Sequence, residues 1–228
     1  MVRGLHARAQ PRARGDHRPQ RAAQPRQARR AHGRHGRQVS VHGDDWPADP
    51  WELLRAWLPS NDDPVRPTMT LATVAADGSP DARTVLLSEL DDAGFYFHTD
   101  SRSRKLEQIA AHPRVALVIP LPEHKRQLTV QGTTEDVDPS ELAWAYAHRS
   151  DYLRRLAWLN TPELAALPLA ERIDRWAGFE PDEPPDTWTG RLVRPTRLTF
   201  WAGRDDTASR RIEYVRRDGT WVAHVLPG

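Results

Sequence analysis

The 228-residue chain contains no cysteine, which excludes a disulfide framework, a zinc–thiolate site, an iron–sulfur cluster and a cysteine nucleophile. It has no run of eighteen apolar residues, so no membrane partner is expected. No P-loop occurs, and no GxGxxG follows a strand-like segment, so neither an NTPase nor a Rossmann site is indicated. HExxH and paired His–carboxylate spacings are also missing. The ten histidines are scattered, four of them within residues 1–40, and no metal site is expected. With no apolar segment behind the basic N-terminus, secretion is not expected and the chain is read as cytoplasmic.

The formal charge of +2 hides a split. Residues 1–40 hold 11 Arg, no Lys and the single acid Asp16, so the remainder carries 22 basic and 30 acidic side chains. An acidic body with a basic tail gives no support for a nucleic-acid-binding fold. Residues 1–45 repeat Arg, Ala, Gln, Pro, His and Gly. They have too little apolar surface to offset their ordering entropy, and are expected to be disordered. An arm attracted to RNA or to a membrane is one reading of this segment. A transit peptide is another, although Pro and Gly spoil its amphipathic helix. Upstream sequence included by an early start codon is the preferred reading.

The folded body is expected from 46 to 228. Pro50 suits a first helical turn after an Asp49 cap, and Trp51, Leu53, Leu54, Trp57 and Leu58 form one apolar face. Strands are predicted over 68–76, 81–90 and 95–99. The turns Asp77-Gly78 and Asp91-Asp92-Ala93-Gly94 join them as an antiparallel meander. A short helix over 101–111 stops at His112-Pro113, and strands follow over 114–120 and 127–137. Helices over 139–159 and 161–179 form an insertion, and an acidic, Pro-rich loop covers 180–186. Strands over 191–201, 210–216 and 220–225 close the chain. The pattern predicts a mainly β fold, a β-barrel with helical decoration and no internal repeat.

Cations and hydroxyls gather at the strand ends. Arg83 lies within the second strand, Thr99 ends the third, and Ser103-Arg104-Lys105 opens the next helix. Two cations and a hydroxyl at a helix N-terminus suit a phosphate dianion. A solvated basic helix start is the plainer alternative for that segment taken alone.

The run Arg83-Thr84-Val85-Leu86-Leu87, then Phe97-His98-Thr99-Asp100-Ser101-Arg102-Ser103-Arg104-Lys105, resembles the pyridoxamine 5′-phosphate oxidase family. So do Arg126-Gln127, Phe200-Trp201-Ala202-Gly203, Arg211 and the closing Val225-Leu226-Pro227, all in the right order from Asp49 to Pro227. The resemblance implies a homodimeric split β-barrel that binds flavin mononucleotide (FMN) at the subunit interface. Its flavin contacts fall on Arg83, Val85, Leu86, Thr99, Ser103, Arg104, Lys105, Gln127, Trp201 and Arg211. Ser103, Arg104 and Lys105 would hold the phosphate. Gln127 would bond the polar edge of the ring and Trp201 would cover its surface, while Arg83 and Arg211 would stabilise a reduced, anionic flavin.

The substrate side departs from the family. Ser88 stands where the family has Lys, Ala145 where it has Tyr, and Leu153 where it has Ser. Thr207-Ala208-Ser209 replaces the Arg-Leu-His signature, and Arg149 is kept. The expected substrate contacts are therefore Ser88, Arg149 and Ser209, and no catalytic residue is assigned. Ser88-Glu89 also resembles the phenazine-biosynthesis branch, which oxidises dihydro-aromatic intermediates. The leading reading is an FMN-dependent oxidase or reductase acting on a reduced aromatic metabolite, with dioxygen as acceptor. The alternatives are pyridoxamine or pyridoxine phosphate oxidation, and flavin binding without turnover.

Overall fold

The structure, a computed structural model, describes residues 46–228. The tail expected over 1–45 lies outside the described residues. The first helix, α1 (Pro50–Trp57), starts as expected: the Asp49 side chain accepts the Trp51 N–H at 3.1 Å. Its apolar face buries Leu53, Leu54 and Trp57.

Nine strands form one antiparallel sheet: β1 (Thr68–Val74), β2 (Pro80–Leu86), β3 (Glu89–Asp91), β4 (Gly94–Asp100), β5 (Arg114–Leu121), β6 (Arg126–Asp136), β7 (Trp188–Ala202), β8 (Arg210–Arg217) and β9 (Thr220–Pro227). The order is β2-β1-β5-β6-β7-β4-β3, with β8 on β7 and β9 on β8. The long β7 organises it. One edge pairs with β6 along 191–202, and the other takes β4 over 188–193 and then β8 over 197–202. The sheet forks near Pro195, which faces Gly132 at a register shift in β6. Proline can donate no ladder hydrogen bond, and a Cβ on Gly132 would lie 2.1 Å from the Arg194 carbonyl oxygen. The residue pair thus fits the irregularity.

Four expectations need correction. The strand over 81–90 is two strands, because the chain changes neighbours there. The Leu87 N–H bonds the Pro67 carbonyl, while the Ser88 N–H bonds the Tyr96 carbonyl on β4. The meander is also incomplete: β4 pairs with β3 and β7, not with β2. The helix expected over 101–111 is α2 (Arg104–Ala111), because Ser101–Ser103 form the turn into it and Ser103 keeps an extended backbone.

The helical insertion is four pieces: α3 (Pro139–Ala147), α4 (Asp151–Leu159), α5 (Pro162–Ala165) and α6 (Leu169–Ala177). Ser150 restarts the chain by capping the Leu153 N–H, Thr161 caps the Leu164 N–H to open α5, and Pro168, with an extended backbone, stands at the N-cap of α6. The core lies on one face of the sheet. Period-two alternation puts Met69 and Leu71, Leu117 and Ile119, Leu128 and Val130, Leu198 and Phe200, and Ile212 and Tyr214 on that face, all essentially inaccessible. Trp57 of α1 meets Phe200 edge-on at 5.2 Å, and the Tyr214 hydroxyl donates to the Pro47 carbonyl at 2.7 Å.

Candidate functional site

A cleft of ≈ 800 Å³ opens where β2, β4 and the start of α2 meet α4. Its floor contains Arg83, Val85 and Leu86 of β2, Thr99 of β4, and Ser103 and Lys105 at α2. Six of the ten residues expected to contact flavin therefore share one cavity.

The charges there are arranged by strand pairing and helix phase. Lys105 Nζ donates to Thr99 Oγ1 at 2.9 Å, and Thr99 Oγ1 lies 3.4 Å from Ser103 Oγ. Burial lowers the Lys105 pKa, and the neighbouring Arg83 charge lowers it further against the pull of Asp100. A desolvated ammonium beside a second cation is an environment that an anion relieves. No side chain caps the first N–H groups of α2, so they remain available beside it. The donor set fits a phosphate monoester.

Arg104 is placed differently. It is not part of the cleft wall; its side chain is 76% exposed and its guanidinium pairs with Asp81 at 2.9 Å. Arg83 also reaches Asp81 at 2.9 Å, so one carboxylate serves two cations. The Gln108 amide and then the two guanidinium charges hold the Asp81 carboxyl below its usual range.

The remaining three expected flavin contacts lie elsewhere in the chain. Gln127, Trp201 and Arg211 are register partners in one row across β6, β7 and β8. They stand on the face opposite the buried Leu128, Phe200 and Ile212, with Gln127 and Arg211 exposed and Trp201 half-buried. None of the three lines the cleft of its own chain.

The opposite wall of the cleft is α4. Tyr152, Leu153, Leu156 and Ala157 make it largely apolar, with Asn160, Pro162 and Glu163 below them. Arg149, between α3 and α4, lines the same cavity. Its Cζ lies 4.4 Å from the Trp188 ring centre and its Nη2 donates to Ser88 Oγ at 3.2 Å. Burial lowers its pKa to about 10, partly opposed by Glu89 and Tyr146. The structure thus brings Ser88 to Arg149 but does not bring Ser209 to this cleft. Ser209 lies at the end of the loop after β7, where its Oγ accepts the Arg204 N–H and its carbonyl accepts the Gly228 N–H.

Sequence reasoning missed Trp188, His98 and Glu163 in the cleft wall. His98 stacks on Trp188 with ring centres 5.0 Å apart and an interplanar angle of 5°. Burial, and then the Arg149 charge, lower the His98 pKa to about 3, so the imidazole is neutral. Gly190 makes room for this stack: a Cβ there would lie 2.8 Å from His98 Cδ2. The Trp-x-Gly at 188–190 was the available signal, but it gains meaning only once β4 is known to pair with β7.

The curled, forked sheet with a cleft at its rim is a split barrel, and the relatives of the chain make it an oxidoreductase. The chain belongs to the pyridoxamine 5′-phosphate oxidase family: the model described as pyridoxamine 5′-phosphate oxidase matches residues 61–187. The model of the pyridoxine 5′-phosphate oxidase C-terminal dimerisation region matches residues 188–227. A pyridoxine/pyridoxamine 5′-phosphate oxidase from Thermosynechococcus vestitus is 38% identical over 181 residues, covering 76% of this chain and 86% of the relative. The structure of PhzG from Burkholderia lata 383, in complex with tetrahydrophenazine-1-carboxylic acid, is similar in fold with a TM-score of 0.67 and 24% identity. That match covers 81% of this chain and 95% of the other. An FMN-binding protein from Nostoc punctiforme, related to pyridoxamine 5′-phosphate oxidase, aligns with a TM-score of 0.60 and 22% identity over 70% of this chain and 87% of its own.

Proposed function

We propose that the chain is an FMN-dependent oxidase that works as a homodimer on a reduced aromatic substrate other than pyridoxamine 5′-phosphate. The observation that carries the cofactor is the desolvated Lys105 beside Arg83 at the uncapped start of α2. Lys105, Ser103 and the α2 N–H groups would hold the phosphate, with Arg104 joining from its Asp81 pair, and Val85, Leu86 and Thr99 would flank the ring system. FMN supplies hydride acceptance and electron transfer to dioxygen. The chain's residues bind, orient and exclude water.

The row Gln127, Trp201 and Arg211, on the face opposite the core, is proposed to complete the site of a second copy, in keeping with the dimerisation region matched at residues 188–227. The substrate reading rests on the apolar α4 wall with Arg149 as its cation. A flat ring would lie against Leu153 and Leu156, with a single anionic group at Arg149. Vitamin-phosphate oxidation is the second reading, favoured by pyridoxine/pyridoxamine 5′-phosphate oxidases at 33–41% identity.

The test is direct. Purified protein should be yellow, release FMN and not FAD, and run as a dimer near twice 25.9 kDa. Dimers mixed from Lys105→Ala and Arg211→Ala chains should regain one intact flavin site per dimer. A monomer that holds flavin at full strength would overturn the shared site.

A further inference from the structure

Two polar side chains are buried among the described residues, Thr73 at 2% exposure and Gln108 at 6%. Both serve Arg83. Gln108 Oε1 accepts from Arg83 Nη2 at 2.8 Å and from Thr73 Oγ1 at 2.6 Å, while Gln108 Nε2 donates to Asp81 Oδ2 at 2.9 Å. Arg83 Nη1 donates to Thr73 Oγ1 at 2.7 Å and to the Leu71 carbonyl at 3.2 Å, and its Nη2 also reaches Asp81 at 2.9 Å. Both terminal nitrogens are therefore engaged by β1, β2 and α2. Nε is the donor position left without a partner among the described residues.

The chemistry at position 108 is specific. One end of the side chain must accept from a cation and a hydroxyl, and the other must donate to a carboxylate. An amide does both. A carboxylate of the same shape would place a second anion against Asp81, and an aliphatic chain would leave Arg83 and Thr73 short of an acceptor in a buried setting. Gln108 also stands on α2 one turn beyond Arg104 and Lys105, so the same amide ties the start of that helix to β2.

We propose that Gln108 is a positioning residue of the flavin site, acting by fixing the Arg83 guanidinium in the cleft. The inference rests on the flavin reading above. Its test uses the full-length chain freed of flavin and titrated with FMN, followed by quenching of flavin fluorescence. Gln108→Glu and Gln108→Leu should each raise the FMN Kd at least tenfold. In an Arg83→Met background the same changes should raise it less than twofold, because a residue that acts through Arg83 has little left to act on. If Gln108→Leu does not fold, as a thermal melt will show, Gln108→Glu carries the comparison. Wild-type affinity in the foldable variants, or an undiminished loss in the Arg83→Met background, overturns the proposal while leaving the flavin reading intact. A wild-type chain with no affinity for FMN overturns both.

Discussion

The two walls of the cleft are built on different principles. The floor, from β2, β4 and α2, is held by two bonded groups at 2.6–2.9 Å, Asp81–Arg83–Gln108–Thr73 and Lys105–Thr99. Its positions follow from strand register and helix phase, so moving one group disturbs several. The facing wall is the apolar side of α4, on a helical insertion where Arg149 leans on Trp188 and Ser88. Of the α4 side chains that line the cavity, Leu153, Leu156 and Ala157 carry no hydrogen-bonding groups and can change without breaking a network. Under the proposed function, the difference would let a cofactor floor keep its residues while the facing wall is remodelled.

The most severe way to break that comparison is to remove the cations of the floor. Arg104→Ala with Lys105→Ala should weaken FMN binding by more than a hundredfold, since charge-assisted bonds contribute about 1.5–3 kcal/mol each. Lys105→Ala alone should account for most of the loss. Arg104 is exposed and already paired with Asp81, whereas Lys105 sits desolvated in the cleft. Equilibrium titration of the three variants ranks them, and equal losses from the two single changes would contradict the assigned geometry.

A second experiment rebuilds the substrate side. Thr207→Arg with Ser209→His restores a cation and an imidazole at the family's positions, on a loop that lies away from the cleft of its own chain. In the dimer proposed above, kcat/KM for pyridoxamine 5′-phosphate should rise by about tenfold or more, as roughly 1.4 kcal/mol of regained transition-state binding gives that factor. Aldehyde formation under air measures it. No gain would place the substrate's phosphate elsewhere.

A smaller effect separates the walls by pH. His98 is held neutral by burial and by Arg149, with its pKa lowered to about 3. The unfolded chain takes up that proton near pH 6.5, so between pH 6.5 and 3 it binds more protons than the native state. Stability therefore falls as the pH drops through this window, by about 1–2 kcal/mol at pH 5 from this group. Urea midpoints at pH 7 and pH 5 should converge in His98→Gln relative to wild type. An equal acid-side loss in the two proteins would show that His98 does not titrate as described.

Much of the floor was legible because its residues are local in sequence. Ser103-Arg104-Lys105 reads as a helix start that suits an anion, and the family resemblance, not spacing, assigned Arg83 within β2 and Thr99 near the end of β4 to the same site. The α1 cap at Asp49-Pro50 was equally plain. What was not legible depends on long-range pairing. Trp188 reaches His98 only because β4 pairs with β7, and Gln108 reads from sequence as one more helix residue until Asp81 and Thr73 are brought beside it. The break at Leu87-Ser88 escaped for the same reason: two adjacent N–H groups choose partners on different strands, and no local propensity records that choice. The insertion was predicted as two long helices because its apolar periodicity runs through Ser150 and Pro168, where capping and proline chemistry divide it.

The central claim, a kept cofactor floor beneath a remodelled substrate wall, is tested most directly by mixing the purified protein anaerobically with excess pyridoxamine 5′-phosphate and following the visible flavin band. The account predicts that the band is present at the outset and bleaches on the order of a hundredfold more slowly than the ~10 per second of a typical enzyme turnover. A colourless protein, or bleaching at that ordinary rate, would contradict it.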